Sequence, residues 1–181
     1  MEYKEKLTIM DTNLFQEEKR IKVNEIESMF DLSKFYNFDK SRKGVLFYEE
    51  FEDIVINANL KSPFIHVDEC SLDVVVNKKT MDVKSILTSL RQPVRELSNP
   101  GGRIDAKKIL AVIASFVENQ LDGKLGNLNT NGAANYFGVF NLENGTELVA
   151  FVFWDSKNEY WVFNALDVAE YNVDPGFWIL F

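Results

Sequence analysis

Four residues that could ligate a metal or transfer a proton lie close together near the middle of the chain. They are His66, Asp68, Glu69 and Cys70. Histidine can serve as a general base and cysteine as a nucleophile, and both are common metal ligands. On an extended strand His66, Asp68 and Cys70 would share one face, with His66 too far from Cys70 for direct proton transfer. His66 is the only histidine, so it and Asp68 are the candidates for a hydrolase or transferase reaction.

A second pattern, in residues 35–51, has the spacing of a cation-binding loop. It resembles the EF-hand calcium loop, and the matching positions are Asp39, Ser41, Gly44, Leu46 and Glu50. The resemblance implies oxygen ligands from Asp39, Ser41 and Glu50, a sharp turn at Gly44 and an inward-facing Leu46. Lys43 departs from the pattern, because it places a cation where the family supplies an oxygen. The segment is therefore expected to bind calcium weakly or not at all, and to serve at most as a cation-responsive module.

A third candidate is the segment Asn99-Pro100-Gly101-Gly102-Arg103, which leads into a predicted helix. Its backbone N–H groups and the Arg103 guanidinium could bind an anion. The segment lacks the glycine spacing and the lysine of a phosphate-binding loop. A linker between two lobes is the favoured interpretation, with Arg103 as a further catalytic candidate.

Composition and charge exclude several classes of function. A formal net charge of −8 repels phosphate backbones and disfavours nucleic-acid binding. The single cysteine permits neither an intramolecular disulfide nor a thiolate zinc cluster, which favours a reducing, cytoplasmic location. The first 20 residues lack the apolar core of a secretory signal, and no apolar stretch approaches the ~20 residues of a membrane span. The excess of lysine over arginine and the frequent asparagine suggest an AT-rich bacterial or phage genome.

The loop-like segment Ser98-Asn99-Pro100-Gly101-Gly102 divides the chain into two lobes, residues 1–98 and 99–181, which we expect to form one compact domain. Residues 14–38 have apolar spacing closer to 3.6 than to 2, which predicts one or two helices. Residues 34–59 fit either a strand of a hairpin or a link between two helices. The remaining predictions for the first lobe are strands at 64–67 and 72–76 and a helix that Asp82 caps.

The second lobe is predicted to be a helix followed by strands. Ile104–Leu121 has a broad apolar face that Asp105 could cap, and residues 126–132 have the composition of an exposed loop. Strands are predicted at 136–141, 147–154 and 159–165, with a hairpin turn at Asn144-Gly145 and an apolar terminal segment docked as a last strand. The predicted fold class is α+β: an N-terminal helical or mixed lobe, and a central helix packed on a C-terminal antiparallel aromatic β-meander.

Large aromatic residues crowd the predicted meander. Along Val149–Trp154 the apolar side chains do not alternate with polar ones, so both faces of this strand should be covered. One face should meet the Ile104–Leu121 helix, and the other the N-terminal lobe, a second copy or a different protein. Tyrosine and tryptophan are enriched at binding hot spots. The candidate binding residues are Trp154, Tyr160, Trp161, Tyr171 and Trp178.

The function that this sequence favours is that of a non-catalytic, protein-binding accessory factor with a regulatory, inhibitory or assembly role. It carries no phosphate-binding loop, dinucleotide fingerprint or nucleophile elbow. We expect no cofactor and no metal, and as partner another protein or a second copy. The alternatives are an enzyme that uses His66 and acidic residues in a cleft between the lobes, and the cation-responsive module.

Overall fold

The structure is a computed structural model, and it describes residues 13–26, 32–37, 44–58, 65–89, 97–98 and 105–180. Within these ranges the strands are β1 (Phe15–Val23), β2 (Val45–Phe47), β3 (Cys70–Asn77), β4 (Met81–Asp82), β5 (Asn135–Asn141), β6 (Glu147–Asp155), β7 (Tyr160–Asp167), β8 (Asn172–Val173) and β9 (Trp178–Leu180). The helices are α1 (Leu32–Phe35), α2 (Glu49–Asn57), α3 (Val83–Ser89) and α4 (Ala106–Glu118). The α+β class is thus confirmed.

Seven of these strands form one sheet, in the order β1-β3-β9-β5-β6-β7-β2, while β4 and β8 form a separate pair. The succession β5-β6-β7 is antiparallel, as the sequence predicts. The sheet as a whole is mixed, because β9 runs parallel to β5 and β2 runs parallel to β7. Strands from both sides of residue 98 therefore lie in the same sheet.

Within residues 14–38, where the sequence predicts one or two helices, β1 (residues 15–23) is a strand and corrects the prediction, whereas α1 (residues 32–35) is a helix as predicted. The register between β1 and β3 shifts between Glu17 and Lys19, so one extra residue interrupts the alternation of a strand. Consequently Phe15 packs in one hydrophobic cluster and Ile21 in the cluster on the opposite face. This bulge breaks the period of two that would have identified the strand.

β1 also has charged side chains that suit the edge of a sheet. Arg20 Nε donates a 2.6 Å hydrogen bond to Asp73 Oδ1, and Lys22 forms a 2.8 Å ion pair with Glu69. Charged side chains on an edge strand discourage pairing with other chains.

The predicted α4 is confirmed, and it lies in the core. The Asp105 carboxylate caps it by accepting hydrogen bonds from the N–H groups of Lys107 (3.0 Å) and Lys108 (3.4 Å). Eight of its residues are buried, namely Ile109, Leu110, Ala111, Val112, Ile113, Ala114, Phe116 and Val117. A helix that is apolar over so much of its circumference must be covered on more than one side.

The sheet is covered on both faces, as the apolar run in β6 predicts. On one face Ala150, Val152 and Trp154 belong to the cluster that contains the buried residues of α4 and α2. On the other face Val149 and Phe151 pack with residues of β4, α3 and β8. The chain itself therefore provides both covering layers for these residues of β6.

Residues 44–58 combine parts of both predicted alternatives. β2 is a strand, but it pairs parallel with the distant β7 and not in a hairpin, and it connects α1 to α2. Leu46, which the EF-hand resemblance places inside, is 38% exposed. The reason is that Val45 and Phe47 point towards the α2 side of the sheet, which leaves Leu46 on the opposite side.

Other local predictions are confirmed. Gly145 has a φ of +86° in the turn between β5 and β6, and Asp82 caps α3 through a 2.8 Å hydrogen bond from the Ser85 N–H. The terminal apolar segment docks as β9, between β3 and β5. No helix among the described residues is long and apolar enough to cross a membrane.

Two buried tyrosines, Tyr36 and Tyr136, differ in the hydrogen bonding of their hydroxyl groups. Tyr36 Oη donates a 2.7 Å hydrogen bond to the Leu110 carbonyl. The Tyr136 hydroxyl is buried beside Tyr171, whose side chain contributes to the raised pKa of Tyr136, but no hydrogen bond of good geometry joins this hydroxyl to a described residue. Burial raises the pKa of both phenols above the usual value, and nearby Glu118 adds to the effect at Tyr36.

We expect Tyr36→Phe and Tyr136→Phe to have opposite effects at neutral pH. Tyr36→Phe removes a buried hydrogen bond and should lower the free energy of unfolding by about 1 kcal/mol. Tyr136→Phe removes a buried hydroxyl without an acceptor and should leave the stability unchanged or raise it by up to about 1 kcal/mol. Urea denaturation measures both, and equal losses in the two variants would contradict the assignment.

The raised pKa values of Tyr36 and Tyr136 predict how the stability of the protein changes at alkaline pH. The unfolded tyrosines ionise above about pH 10, whereas the buried phenols stay neutral, so the wild-type stability falls as the pH rises through that range. Each Phe variant lacks one such group and should lose less stability between pH ~9 and ~11. If the free energy of unfolding fell with pH as steeply in both variants as in the wild type, groups other than these tyrosines would control the alkaline transition.

Candidate functional site

His66 and Asp68 lie together on the surface, but Cys70 does not join them. His66 Nε2 is 3.0 Å from Asp68 Oδ1 and 3.7 Å from Glu25 Oε1, and all three side chains are more than half exposed. The chain bends at residues 68–69, so Cys70 is buried in the core and not on the His66 face. The expectation that His66, Asp68 and Cys70 share one face is therefore wrong. Among the described residues, His66, Asp68 and Glu25 therefore form an open surface cluster with no cysteine beside it.

The first part of the EF-hand-like pattern, residues 38–43, lies outside the described residues. Asp39, Ser41 and Lys43 are not described, and neither is the anion-site candidate Arg103. Glu50 lies in the first turn of α2 with an exposed side chain. Among the described residues no group of three or more His, Cys, Asp or Glu is arranged to hold a metal ion.

The five predicted binding aromatics occupy different environments. Trp161 is completely buried, and its Nε1–H donates a 2.7 Å hydrogen bond to the Gln120 carbonyl. Trp154 is buried against it, with ring centroids 5.6 Å apart. Tyr160, Tyr171 and Trp178 are half-buried. The two tryptophans of β6 and β7 thus pack in the core, where they support the segment that follows α4.

Two open grooves flank the start of α3. One has a volume of 800 Å³ and lies between Leu14, Thr80, Asp82 and Asn172. The other has a volume of 710 Å³ and lies between Lys84, Thr146 and Asp167. His66 lines neither of these two grooves.

The loop from Asn119 to Ala134 is held in place by an extensive set of side-chain hydrogen bonds, and we call it the amide-braced loop. Its backbone is fixed by three buried side-chain amides, those of Gln120, Asn129 and Asn135. Gln120 Nε2 donates to the carbonyls of Lys124 (3.0 Å) and Leu128 (3.2 Å), while its Oε1 accepts from the Leu128 N–H (2.8 Å).

Asn135 fixes the second half of this loop. Its Oδ1 accepts from the Asn129 N–H (2.8 Å), and its Nδ2 donates to the carbonyls of Asn129 and Val152 (both 3.1 Å). Asn129 and Asn131 also make turns by accepting from the N–H groups of Asn131 and Ala133. Buried polar networks that are satisfied in this way rigidify the backbone they hold.

The amide-braced loop is also attached to the sheet. Gly123 has a φ of +67° and lies so close to the Trp154 ring that a side chain at this position would overlap it. Lys19 Nζ donates a 3.1 Å hydrogen bond to the Gly126 carbonyl and lies 4.4 Å from the Trp178 ring centroid. Burial lowers the pKa of Lys19, and the charge of Glu18 opposes this shift. Trp178 therefore contributes to the support of the loop.

Apolar side chains on this rigid loop face solvent. Leu125 is 95% exposed and Leu121 is 37% exposed. Leu121 lies near Gly44, at the start of β2. The sequence predicts an exposed polar loop at residues 126–132, but it gives no signal that Gln120, Asn129 and Asn135 would be buried.

Comparisons of this chain with models of protein families, with curated proteins and with solved structures find no match.

The contact between Gly123 and Trp154 should be essential for the position of the loop. Gly123→Ala combines an unfavourable left-handed backbone with overlap of the indole ring, and should cost about 3 kcal/mol or more. Gly145→Ala is the matched control, because its φ is +86° but no atom lies within 4 Å of the added carbon. The control should cost about 1–2 kcal/mol. Equal losses of unfolding free energy would mean that the Trp154 contact is unimportant.

Gln120→Met should loosen the loop while preserving its volume. The substitution leaves buried backbone groups of Leu128 without partners, so we expect a loss of about 2–4 kcal/mol. Hydrogen exchange at Leu128 should become much faster. Asn119→Ala removes an exposed 2.8 Å hydrogen bond to the Ser115 carbonyl and should change stability by about 0.5 kcal/mol at most. Slow exchange at Leu128 in the Met variant would refute the bracing role of Gln120.

Proposed function

We propose that this protein is a non-catalytic accessory factor that binds another protein, in a regulatory, inhibitory or assembly role. We further propose that the amide-braced loop is a contact surface. The observation that supports this most directly is that Leu125 is 95% exposed on a loop whose backbone is fixed by buried amides.

The rigidity of the loop favours a binding role. Ordering a flexible loop at an interface costs conformational entropy, and a preorganised loop avoids much of that cost. Loops held by a rigid scaffold often carry the binding residues of a protein. The amide-braced loop is fixed by hydrogen bonds at both ends and keeps an apolar side chain in water, where it is available to a partner.

The charge of the molecule favours a different protein over a second copy as the partner. Each copy carries a formal charge of −8, so two copies repel each other. Lys124 of the loop forms an ion pair with Asp122, which adds little net charge around Leu125. A partner with an apolar pocket for Leu125 would therefore meet less electrostatic resistance than a second copy.

Photo-cross-linking from position 125 tests this proposal. A benzoylphenylalanine at position 125 should cross-link one protein in a lysate of the source organism, and the same group at the exposed turn residue Asn144 should not. In an affinity pull-down with the chain that carries no cross-linker, Leu125→Ser should abolish capture of that protein. Because Leu125 is 95% exposed, this substitution should change stability by no more than about 0.5 kcal/mol.

The outcomes separate the alternatives. A cross-link to a second copy would replace the foreign partner with self-association. Equal labelling from positions 125 and 144, or capture that survives Leu125→Ser, would overturn the role of the loop.

A further inference from the structure

The exposed side of α2 is a second surface with unusual chemistry. On its inner side Phe51 is fully buried, and its ring lies 5.2 Å from that of Phe163 in β7. On its outer side Ile56 is 68% exposed, and Tyr48, directly before the helix, is 48% exposed. We call the exposed residues Tyr48, Glu49, Glu50, Asp53 and Ile56 the α2 face.

The α2 face combines these apolar groups with negative charge that no ion pair to a described residue offsets. The helix has no basic residue and carries four carboxylates, Glu49, Glu50, Glu52 and Asp53. None of them forms an ion pair with a described residue. Glu143 extends the acidic surface at the far end of the helix, where its N–H donates a 3.0 Å hydrogen bond to Asn57 Oδ1.

Acidic and apolar side chains lie on the same side of α2. Glu49, Asp53 and Ile56 are spaced i, i+4 and i+7, so they lie on the same side. The helix dipole stabilises the carboxylates of the first turn, but Asp53 lies beyond it and repels Glu49. A ligand that supplies cations and covers Ile56 would relieve both the repulsion and the exposure of the apolar side chain.

We propose that the α2 face binds a basic amphipathic segment of another protein. Lysine or arginine side chains of the segment would lie opposite Glu49, Glu50 and Asp53, and its apolar side chains would contact Tyr48 and Ile56. This surface is additional to the amide-braced loop, and the proposal does not depend on Leu125.

Charge complementarity selects this occupant over the others. A second copy brings the same net charge of −8, and a nucleic acid or an anionic membrane brings further negative charge. A wholly apolar segment would leave the carboxylates of the α2 face partly desolvated without partners, which is costly. A segment with both cationic and apolar residues satisfies both features, and tyrosine is a frequent anchor in such contacts.

Binding of a defined peptide tests the proposal. The probe is a fluorescein-labelled amphipathic helical peptide of lysine and leucine, about four turns long, and the readout is fluorescence anisotropy at ~50 mM and ~300 mM salt. The triple variant Glu49→Gln, Glu50→Gln, Asp53→Asn should bind about tenfold more weakly than the wild type at low salt. Ile56→Ser should weaken binding severalfold and keep the salt dependence.

A charge-matched control separates this surface from general attraction to an acidic protein. The exposed carboxylates Glu147, Glu159 and Glu170, changed to Gln, also reduce the net charge from −8 to −5 but should leave affinity within about twofold of the wild type. Equal weakening in both triple variants would overturn the proposal, since long-range attraction would then explain the binding. So would unchanged affinity in Ile56→Ser, a variant that tests the face even if the α2 triple variant fails to fold.

Discussion

The central strands of the sheet have apolar side chains on both faces, and this requires two covering layers. In β6 the residues from Leu148 to Val152 are all buried, and alternate residues belong to opposite hydrophobic clusters. A strand of this kind cannot lie at the surface of the molecule. Helices α4 and α2 satisfy the requirement on one side, and α3 with the short β4–β8 pair satisfies it on the other. The helices that connect the strands, together with the β4–β8 pair, thus form the two layers that cover the sheet.

Much of this architecture could be predicted from local patterns. The apolar face of α4, the cap at Asp105 and the hairpin glycine at position 145 are each encoded by a few neighbouring residues. Strands that pair across long sequence distances could not be predicted in the same way. The pairing of β2 with β7 depends on residues more than a hundred positions apart. The bulge in β1 lies where this strand pairs with β3. It interrupts the period of two, so the sequence of this strand predicts a helix.

The candidate site was less predictable than the fold. The general enrichment of aromatic residues at interfaces favours Trp154 and Trp161 as binding residues, but both are buried beneath the amide-braced loop. The side chains that shape this loop are neutral amides, and nothing in their local sequence distinguishes a buried amide from an exposed one. Gln120 and Asn135 acquire their role only when the end of α4 is brought next to β5 and β6. The exposed character of Leu125 follows from that same arrangement, and it could not be read from hydrophobicity alone.

β9 has a consequence for the order in which the protein can fold during synthesis. This strand lies between β3 and β5, and it is translated after all the other strands of the sheet. A nascent chain without residues 178–180 can form the β1–β3 pair and the β5-β6-β7-β2 group, but it cannot join them into one sheet. The inner edges of both groups then stay open until β9 is inserted, and open edges attract other strands. Such a protein depends on rapid insertion of β9, or on a chaperone that shields these edges until β9 is available.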